Sequence, residues 1–468
     1  MTRPTTLLAE RRKLLHERTA QAIETLHHER LEDHYTHLVH HYRSSNNAAK
    51  TIEYVRLVGE QAMRRGAHVQ AVAAIEPALK LIERLPGTTQ RLRAELGIRQ
   101  LQASTLPNLQ GLASAERLEN TQRVCELSEQ LGDDSALLRG LYNLGSVYLI
   151  RGQTLSAREV ADRGLALAEQ NQDLEMLPPA QLLVARCAYF AGNLFEAASR
   201  YKDLIKGLVS TPRRITTGII TEPWILAPLQ LALVEQLLGR PDEALRLCDE
   251  GLRRASQFKH PSDLVMALMI SARVRGQRGE PDAARELSEA AQTLVEKHIL
   301  GRVNSAVMAW AKAELGQTEQ ALGELESWAD SAMQFDAEIL RPQVYMRVGR
   351  IEQALEMLNR YLAQLESSGT RHNEAEVYRL KGEAILMRDS SSTAEPEACY
   401  RKAIEIAHGQ SAKWWELRST NSLARLLAKQ GKREEAREML ADVYNWFTEG
   451  FETADLKDAK ALLDELNG

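Results

Sequence analysis

The strongest constraint on the fold is a glycine that recurs about every 40 residues, each time between two stretches of helical periodicity. One example runs from Leu144 to Ala157, where Gly145 stands seven residues before Gly152 and Ala157 stands five residues after it. Gly152 suits the left-handed conformation that ends a helix at low cost. Small residues at the two flanking positions let two helices pack closely. The pattern predicts tandem helix pairs joined by tight turns.

The same spacing recurs along the chain. The turn glycines are Gly66, Gly111, Gly152, Gly192, Gly239, Gly279, Gly316, Gly349 and Gly431. The residues seven positions earlier are Gly59, Ser104, Gly145, Ala185, Ala232, Ala272, Ala309, Pro342 and Ala424. The residues five positions later are Ala71, Glu116, Ala157, Ala197, Ala244, Ala284, Ala321, Ala354 and Ala436. Only Pro342 and Glu116 break the small-residue rule, so the repeat is a property of the sequence rather than of chance.

A degenerate repeat fills the interval between the last two turn glycines. Gly382 takes the small position, and Asp389 replaces the turn glycine. A short insertion at 390–393 shifts the expected alanine to Ala398. We expect the insertion to form an exposed loop.

The composition agrees with a helical protein. Hydrophobic residues make up 44% of the chain, aromatic residues only 5%, and there are 14 prolines, which favours long helices over a large sheet. The net charge of -5 gives no reason to expect a nucleic-acid surface, which is usually strongly basic. The four cysteines form no CxxC motif, and their apolar helical surroundings predict buried thiols in a reducing cytoplasm. Since no run of about 18 apolar residues occurs, we expect a soluble cytoplasmic protein without membrane contact.

The glycine-centred phase resembles the tetratricopeptide repeat, although its spacing exceeds the usual length of about 34 residues. The resemblance implies an all-α, right-handed solenoid of about ten helix pairs, in which the first helix of each pair lines the inner face. We expect N-terminal helices at 1–45, repeats at 46–209, a connector at 210–223, further repeats at 224–447 and a capping helix at 448–468.

The sequence holds no motif that points to catalysis or to a cofactor. It lacks a phosphate-binding GxxxxGK[ST] loop, a dinucleotide-binding GxGxxG after a strand, and a GxSxG nucleophile motif. Paired carboxylates such as Glu434 and Glu435 precede or open helices, where they complement the helix dipole. We therefore predict a protein that is not an enzyme and that has no cofactor or metal.

A histidine-rich stretch is the one feature that suggests a metal. Six of the 12 histidines fall between His27 and His41. On one helix His34, His37 and His41 share a face, which would suit zinc. The alternative is a solvated helix whose histidines pack against tyrosines, and the absence of HExxH and of a nearby cysteine favours it.

The inner face of the predicted solenoid is the candidate binding surface. The repeat phase places on it arginines with interleaved aromatic and polar residues, a set that suits an acidic, partly apolar peptide. The candidate contact residues are Arg139, Tyr142, Arg186, Tyr189, Arg273, Trp310, Gln343, Arg418, Asn421 and Arg425. The alternative is that these arginines are solvated or pair with neighbouring glutamates.

The two ends of the chain resemble a particular bacterial signalling family. The N-terminal matches are ERRKLLH at 10–16, HHY at 40–42 and TIEY at 51–54. The C-terminal matches are YRLKGE at 378–383, ACYRKA at 398–403, SLARL at 422–426, YNWFTEGF at 444–451 and DLKDAK at 455–460. The family consists of signal-transduction ATPases with numerous domains, in which a class III adenylate or guanylate cyclase domain often precedes the ATPase and the tetratricopeptide repeats.

The resemblance implies a regulatory or sensor arm rather than a catalyst, because the family's cyclase carboxylates and phosphate loop have no counterpart in this sequence. We expect a non-enzymatic scaffold that docks a protein or peptide, with a separately encoded ATPase or cyclase as one candidate partner. The chain would then be a stand-alone repeat protein, a truncated product or half of a split system. Two alternatives remain: a sensor that binds a small effector inside the superhelix near 210–223, and a fragment of a protein with the family's ATP-binding or cyclase activity.

Overall fold

The computed structural model describes residues 4–64, 68–83, 85–110, 113–210, 222–258, 261–298, 306–326 and 337–467. These residues form α-helices and one 3-10 helix (His28–His34), without a strand among them. The α-helices are α1 Pro4–Leu26, α2 Tyr35–Ser45, α3 Ala48–Arg64, α4 His68–Ile82, α5 Thr89–Gln110, α6 Ala115–Leu131, α7 Asp134–Ile150, α8 Thr154–Gln170, α9 Leu177–Phe190, α10 Leu194–Ser210, α11 Pro223–Leu237, α12 Pro241–Phe258, α13 Pro261–Gln277, α14 Pro281–His298, α15 Ala306–Glu314, α16 Thr318–Glu326, α17 Ala337–Arg347, α18 Ile351–Ser368, α19 Glu374–Arg388, α20 Ala394–Gln410, α21 Lys413–Lys429, α22 Arg433–Tyr444 and α23 Ala454–Asn467. Within the described ranges, no helix combines the length and apolar character needed to cross a membrane.

The chain divides into two compact units, Met1–Gly140 and Leu141–Gly468. The core of the first unit is built from α3, α4 and α5, whose buried aliphatic residues pack together. In it, a side chain at Gly59 would overlap Leu101 of α5, so this small position allows α3 and α5 to approach each other. Arg123 of α6 donates two hydrogen bonds to Glu95 of α5, at 2.8 and 3.0 Å.

The second unit confirms the predicted repeat in detail. The turn glycine has a positive φ in each repeat that the structure describes, from +69° at Gly152 to +85° at Gly239. The alanines at the two flanking positions have no exposed surface: Ala157, Ala185, Ala197, Ala232, Ala244, Ala272, Ala284, Ala309, Ala321, Ala354, Ala424 and Ala436. The fold is therefore an all-α array of tetratricopeptide-like helix pairs, as predicted.

Some details of the repeat prediction are not described by the structure, and one differs from it. Gly66, Gly111 and nearly all of the connector at 210–223 lie outside the described residues. In the degenerate repeat, Ala398 is exposed and does not fill the small position. Gly382 instead faces the ring of Tyr400, with 2.6 Å from an added Cβ to the nearest ring carbon. A ring thus occupies the space beside this small position, as the side chains of Leu183 and Val160 do beside Gly145.

Within the second unit, the later repeats touch the turns of the earlier ones. The hydroxyls of Thr154 and Thr370 lie 2.7 Å apart. The backbone N–H of Arg371 donates to the carbonyl of Phe190 at 2.7 Å. Because these pairs are about 180 to 220 residues apart in sequence, they close the array of helix pairs on itself.

These contacts give the turn glycines two different environments, which predicts two different responses to substitution. An added Cβ at Gly239 would lie 2.7 Å from the ring of Trp446, whereas at Gly349 nothing lies within 4 Å. Both residues have a positive φ, which costs an alanine about 1–2 kcal/mol. We expect Gly239→Ala to lower the free energy of unfolding by at least about 1 kcal/mol more than Gly349→Ala, because of the added overlap. Urea denaturation of both variants measures the difference, and equal losses would contradict the contact.

Candidate functional site

A cleft opens on the inner face of the second unit, and we call it the central cleft. The first helices of successive pairs supply its walls, namely α13, α15, α17, α19 and α21, and α23 adds Asp455. Its volume is about 360 Å³, which lies within the range of ligand pockets. The inner face was predicted as the binding surface, and the cleft is the part of that face where a ligand has room.

The lining of the cleft combines apolar side chains, two amides and charged groups. Trp310 contributes ring surface, and Leu340 and Met346 contribute aliphatic surface, whereas Trp415 has no exposed surface. Gln277 is 8% exposed, and no protein group hydrogen-bonds to either atom of its side-chain amide. A buried amide without a partner is unfavourable by about 1–3 kcal/mol. A ligand group that reaches this amide would satisfy its carbonyl oxygen as donor or its N–H groups as acceptor.

An ion network holds the floor of the cleft in place. Glu376 of α19 is fully buried and accepts two hydrogen bonds of 2.8 Å from Arg379. Arg418 of α21 lies 3.2 Å from the same carboxylate and 3.6 Å from Asp455 of α23. Since a buried charge is tolerated only when it is paired, the network fixes α19, α21 and α23 against one another.

The network shifts the pKa of its two carboxyls in opposite directions. Burial alone raises the pKa of Glu376, but the charges of Arg379 and Arg418 and the hydrogen bonds from Arg379 outweigh it, so that the pKa is lowered. Burial raises the pKa of Asp455, and Arg418 offsets this effect only in part. Glu376 is therefore the ionised anchor of the network.

The structure brings four of the predicted contact residues together. Arg273, Trp310, Gln343 and Arg418 line the central cleft, as the repeat phase suggested. The Gln343 amide donates to the carbonyl of Ile339 at 2.8 Å. Gln277 was missed by the sequence reasoning, although it stands only two residues before a turn glycine and four after Arg273.

Three other predicted residues are buried within the second unit rather than facing an open groove. Tyr142 is 5% exposed and Arg186 is also 5% exposed, with its guanidinium donating to Ser146 at 3.1 Å. Tyr189 has no exposed surface, because the ring of His372 from a later repeat lies 4.9 Å away. The periodicity does not predict what covers these side chains.

The remaining predicted residues lie at the two ends of the expected groove. Asn421 donates to Asp458 of the capping helix α23 at 2.5 Å, and Arg425 pairs with the same carboxylate. They therefore hold the capping helix. Arg139 is partly exposed and belongs to the first unit.

The structure divides the histidine-rich stretch between two elements. The 3-10 helix (His28–His34) ends at His34, so this residue precedes α2, although its ring still lies 6.1 Å from that of His37. His41 of α2 meets His16 of α1, with 2.9 Å between their Nδ1 atoms. Burial and then the charges of neighbouring histidines lower the pKa of His41. In the described part of the chain, no three histidine, cysteine, aspartate or glutamate side chains are placed to hold a metal ion.

The cysteines are buried as predicted. Cys125, Cys187, Cys248 and Cys399 are free thiols in the helix interfaces. Burial raises the pKa of Cys187 and Cys248 to about 12, so these thiols stay protonated and unreactive at neutral pH.

Comparison with known proteins agrees with this architecture. A tetratricopeptide repeat family model matches residues 229–250 and 417–442, which include Gly239 and Gly431 with their flanking alanines. The chain thus contains tetratricopeptide repeats. No curated protein matches its sequence.

Two solved structures with similar helical arrangements are distant from this chain. A Rap protein complexed with Competence and Sporulation Factor is 13% identical with a TM-score of 0.44, covering 89% of this chain and 99% of its own. Human IFIT1, solved as a dimer with m7Gppp-AAAA, is 15% identical with a TM-score of 0.44, covering 88% of this chain and 90% of its own. Such likeness concerns the helical architecture alone.

Proposed function

We propose that this chain is a non-enzymatic scaffold that docks an extended segment of a partner protein in the central cleft. The observation that carries the proposal is the buried Gln277 amide in a cleft that also presents apolar surface from Trp310, Leu340 and Met346. A peptide backbone presents an N–H and a C=O that match the acceptor and donor of such an amide. An apolar side chain of the same segment would pack against Trp310 and Met346.

The charges around the cleft support a preference for acidic or mixed-charge segments. Four guanidinium groups line the cleft, from Arg273, Arg347, Arg379 and Arg418, against three carboxylates from Glu314, Glu383 and Asp455. Several of these groups pair with each other, as Arg347 does with Glu314 at 2.6 and 3.0 Å. An acidic side chain of the partner would therefore compete with the carboxylates of the cleft for these arginines, because several of the arginines are already paired.

The resemblance at the two ends of the chain supports a signalling context. We propose that the scaffold regulates a signal-transduction ATPase or a cyclase-like protein, and that such a protein is the source of the docked segment. It would act in the cytoplasm, where the reduced, buried cysteines are stable.

Two substitutions in the cleft test the proposal against a matched surface control. Leu340→Arg places a long charged side chain in the cleft, and Gln277→Leu removes the amide at similar size. Phe195→Arg changes a residue of the same unit that is 62% exposed and outside the cleft. Peptides selected from a random display library on the unmodified chain should bind Phe195→Arg normally. They should lose roughly tenfold or more in affinity on either cleft variant.

If the peptides bind the unmodified chain and its three variants equally, the contact lies outside the cleft and the proposal is wrong. Circular dichroism and unfolding curves of the variants must match the unmodified chain for the loss to count as local.

The size of the cleft favours one alternative, a small-molecule effector sensor. A volume of about 360 Å³ suits a metabolite as well as two or three peptide side chains. Thermal shift against a metabolite panel separates the two functions, since a ligand at 100 times its dissociation constant adds about 2.7 kcal/mol. A stabilising metabolite whose effect disappears in Leu340→Arg would replace the peptide proposal.

A further inference from the structure

The residues that connect α22 to α23 touch the earlier repeats of the second unit directly. Glu449, Gly450 and Ala454 meet the turn before α12 and the turn before α14. We call residues 449–454 the clasp. It lies about 170 to 210 residues from its partners in the sequence.

The clasp and α12 cap one another. The carboxylate of Glu449 accepts hydrogen bonds from the backbone N–H groups of Asp242 and Glu243, at 3.0 and 3.2 Å. These N–H groups belong to the first turn of α12, where no intrahelical acceptor exists. In return, the carboxylate of Asp242 accepts from the backbone N–H of Gly450 at 3.0 Å. A carboxylate at a helix N-terminus is also favoured by the helix dipole.

A second contact joins the clasp to the edge of the central cleft. The backbone N–H of Ala454 donates to the carbonyl of Arg278 at 3.2 Å. Gly279 faces the Ala454 methyl group so closely that any side chain there would overlap it. The next residue, Asp455, lines the cleft, while Gln277 lines the opposite wall on α13. The clasp therefore sits where the two walls of the cleft meet.

The chemistry of the clasp differs from that of the helix interfaces beside it. It contacts the start of α12 and the turn after α13 through hydrogen bonds and through two small apolar contacts, Gly450 with Pro241 and Ala454 with Gly279. In contrast, α23 packs on its own neighbours through Leu456, Ala459 and Leu462, which are at most 4% exposed. Breaking the clasp exposes little apolar surface, but detaching α23 exposes much. The contact of the clasp with the earlier repeats is thus weaker than the packing of α23 on its own neighbours.

We propose that the clasp is a releasable closure of the central cleft, and that its opening moves the start of α23 away from α13 to admit or release the docked segment, while the buried Trp414 keeps α21 joined to the end of α13. The role in ligand entry rests on the proposed function, whereas the opening itself does not. Opening moves two walls apart without unfolding the helix pairs.

Amide hydrogen exchange on the full chain tests the closure with matched glycine variants. A side chain at Gly450 would overlap Pro241, whereas Gly431 has nothing within 4 Å of an added Cβ. Their φ values are +80° and +83°, so alanine carries the same backbone cost at both positions. Gly450→Ala should speed exchange at the N–H groups of Asp242, Glu243 and Ala454 by about tenfold or more, and Gly431→Ala should leave them unchanged.

A charge variant gives a second, independent readout. Glu449→Ala removes the acceptor of two helix N–H groups, and Glu452→Ala changes a neighbour whose side chain is 89% exposed. Only Glu449→Ala should speed hydrogen exchange at the backbone N–H groups at the start of α12. A bulky maleimide should also label Leu340→Cys in the cleft faster when Gly450→Ala is present, because the native cysteines are buried.

Equal exchange in Gly450→Ala and Gly431→Ala would overturn the inference. So would faster exchange spread evenly over the second unit, because the cleft would then open only by unfolding. If the clasp opens but neither peptides nor metabolites bind the cleft, the closure stands and the proposed function fails.

Discussion

Replacing Glu376 by glutamine should lower the free energy of unfolding of the second unit by about 3–5 kcal/mol, among the largest effects of any single substitution in the chain. The glutamine keeps the size of the side chain but removes the carboxylate shared by the buried Arg379 and the partly buried Arg418, which leaves them the longer ion pairs with Glu383 and Asp455. Urea denaturation followed by circular dichroism measures the loss.

The control is an ion pair of the same kind on the surface. Glu356 pairs with Arg360 one helical turn away, and both side chains are more than 60% exposed. Glu356→Gln should cost less than about 0.5 kcal/mol, because solvent screens such a pair. Equal losses in the two variants would show that the network under the cleft contributes no more than a surface pair.

The same substitution should change the response to acid. Since the pKa of Glu376 is lowered in the folded protein, its ionised form contributes stability that is complete above the ordinary value of 4.5. That contribution is lost as the pH falls through the lowered pKa. The unmodified chain should therefore lose stability more steeply below pH 4.5 than Glu376→Gln does.

Trp414→Ala is expected to have a comparable effect for a different reason. Trp414 has no exposed surface, its ring lies 6.0 Å from that of Phe447, and its indole N–H donates to the carbonyl of Gln277 at 3.2 Å. Removing a buried tryptophan costs about 3–5 kcal/mol, from lost burial and from the cavity that remains. Urea denaturation should show the loss of stability. Amide hydrogen exchange should become faster near the end of α13.

Two variants separate the parts of this effect. Trp414→Phe keeps most of the apolar volume and should cost only about 1–2 kcal/mol, mainly from the lost hydrogen bond. Trp446→Ala removes a ring that is 45% exposed and should cost clearly less than Trp414→Ala. If Trp414→Ala is as mild as Trp446→Ala, the contact between α21 and α13 does not hold the second unit closed.

Local rules explain why the repeat could be predicted. A turn glycine with a positive φ and an alanine in a helix interface are each required by their nearest neighbours, so that the requirement recurs wherever the pair recurs. The degenerate repeat shows the limit of this reasoning. Ala398 was expected at the small position once the insertion is allowed for, but it is exposed, and Tyr400 packs against Gly382.

The candidate site was predictable only in part. The repeat phase placed Arg273, Trp310, Gln343 and Arg418 on the inner face, and all four line the cleft. The same phase also selected Tyr189, which His372 of a later repeat covers. Periodicity identifies which side of a helix faces inward, but the cover comes from residues more than 180 positions away.

The sequence by itself determined the helix pairs, their turns and the small residues between them, because each of these depends on side chains a few positions apart. Only the tertiary structure decided which inner-face residues remain accessible, where Gln277 lacks a partner, and how Glu449 reaches α12. Those features depend on how strongly the array of helix pairs in the second unit curves, because the curvature decides which later repeats contact which earlier ones. That curvature is the sum of many small rotations between neighbouring pairs, and no single repeat encodes it.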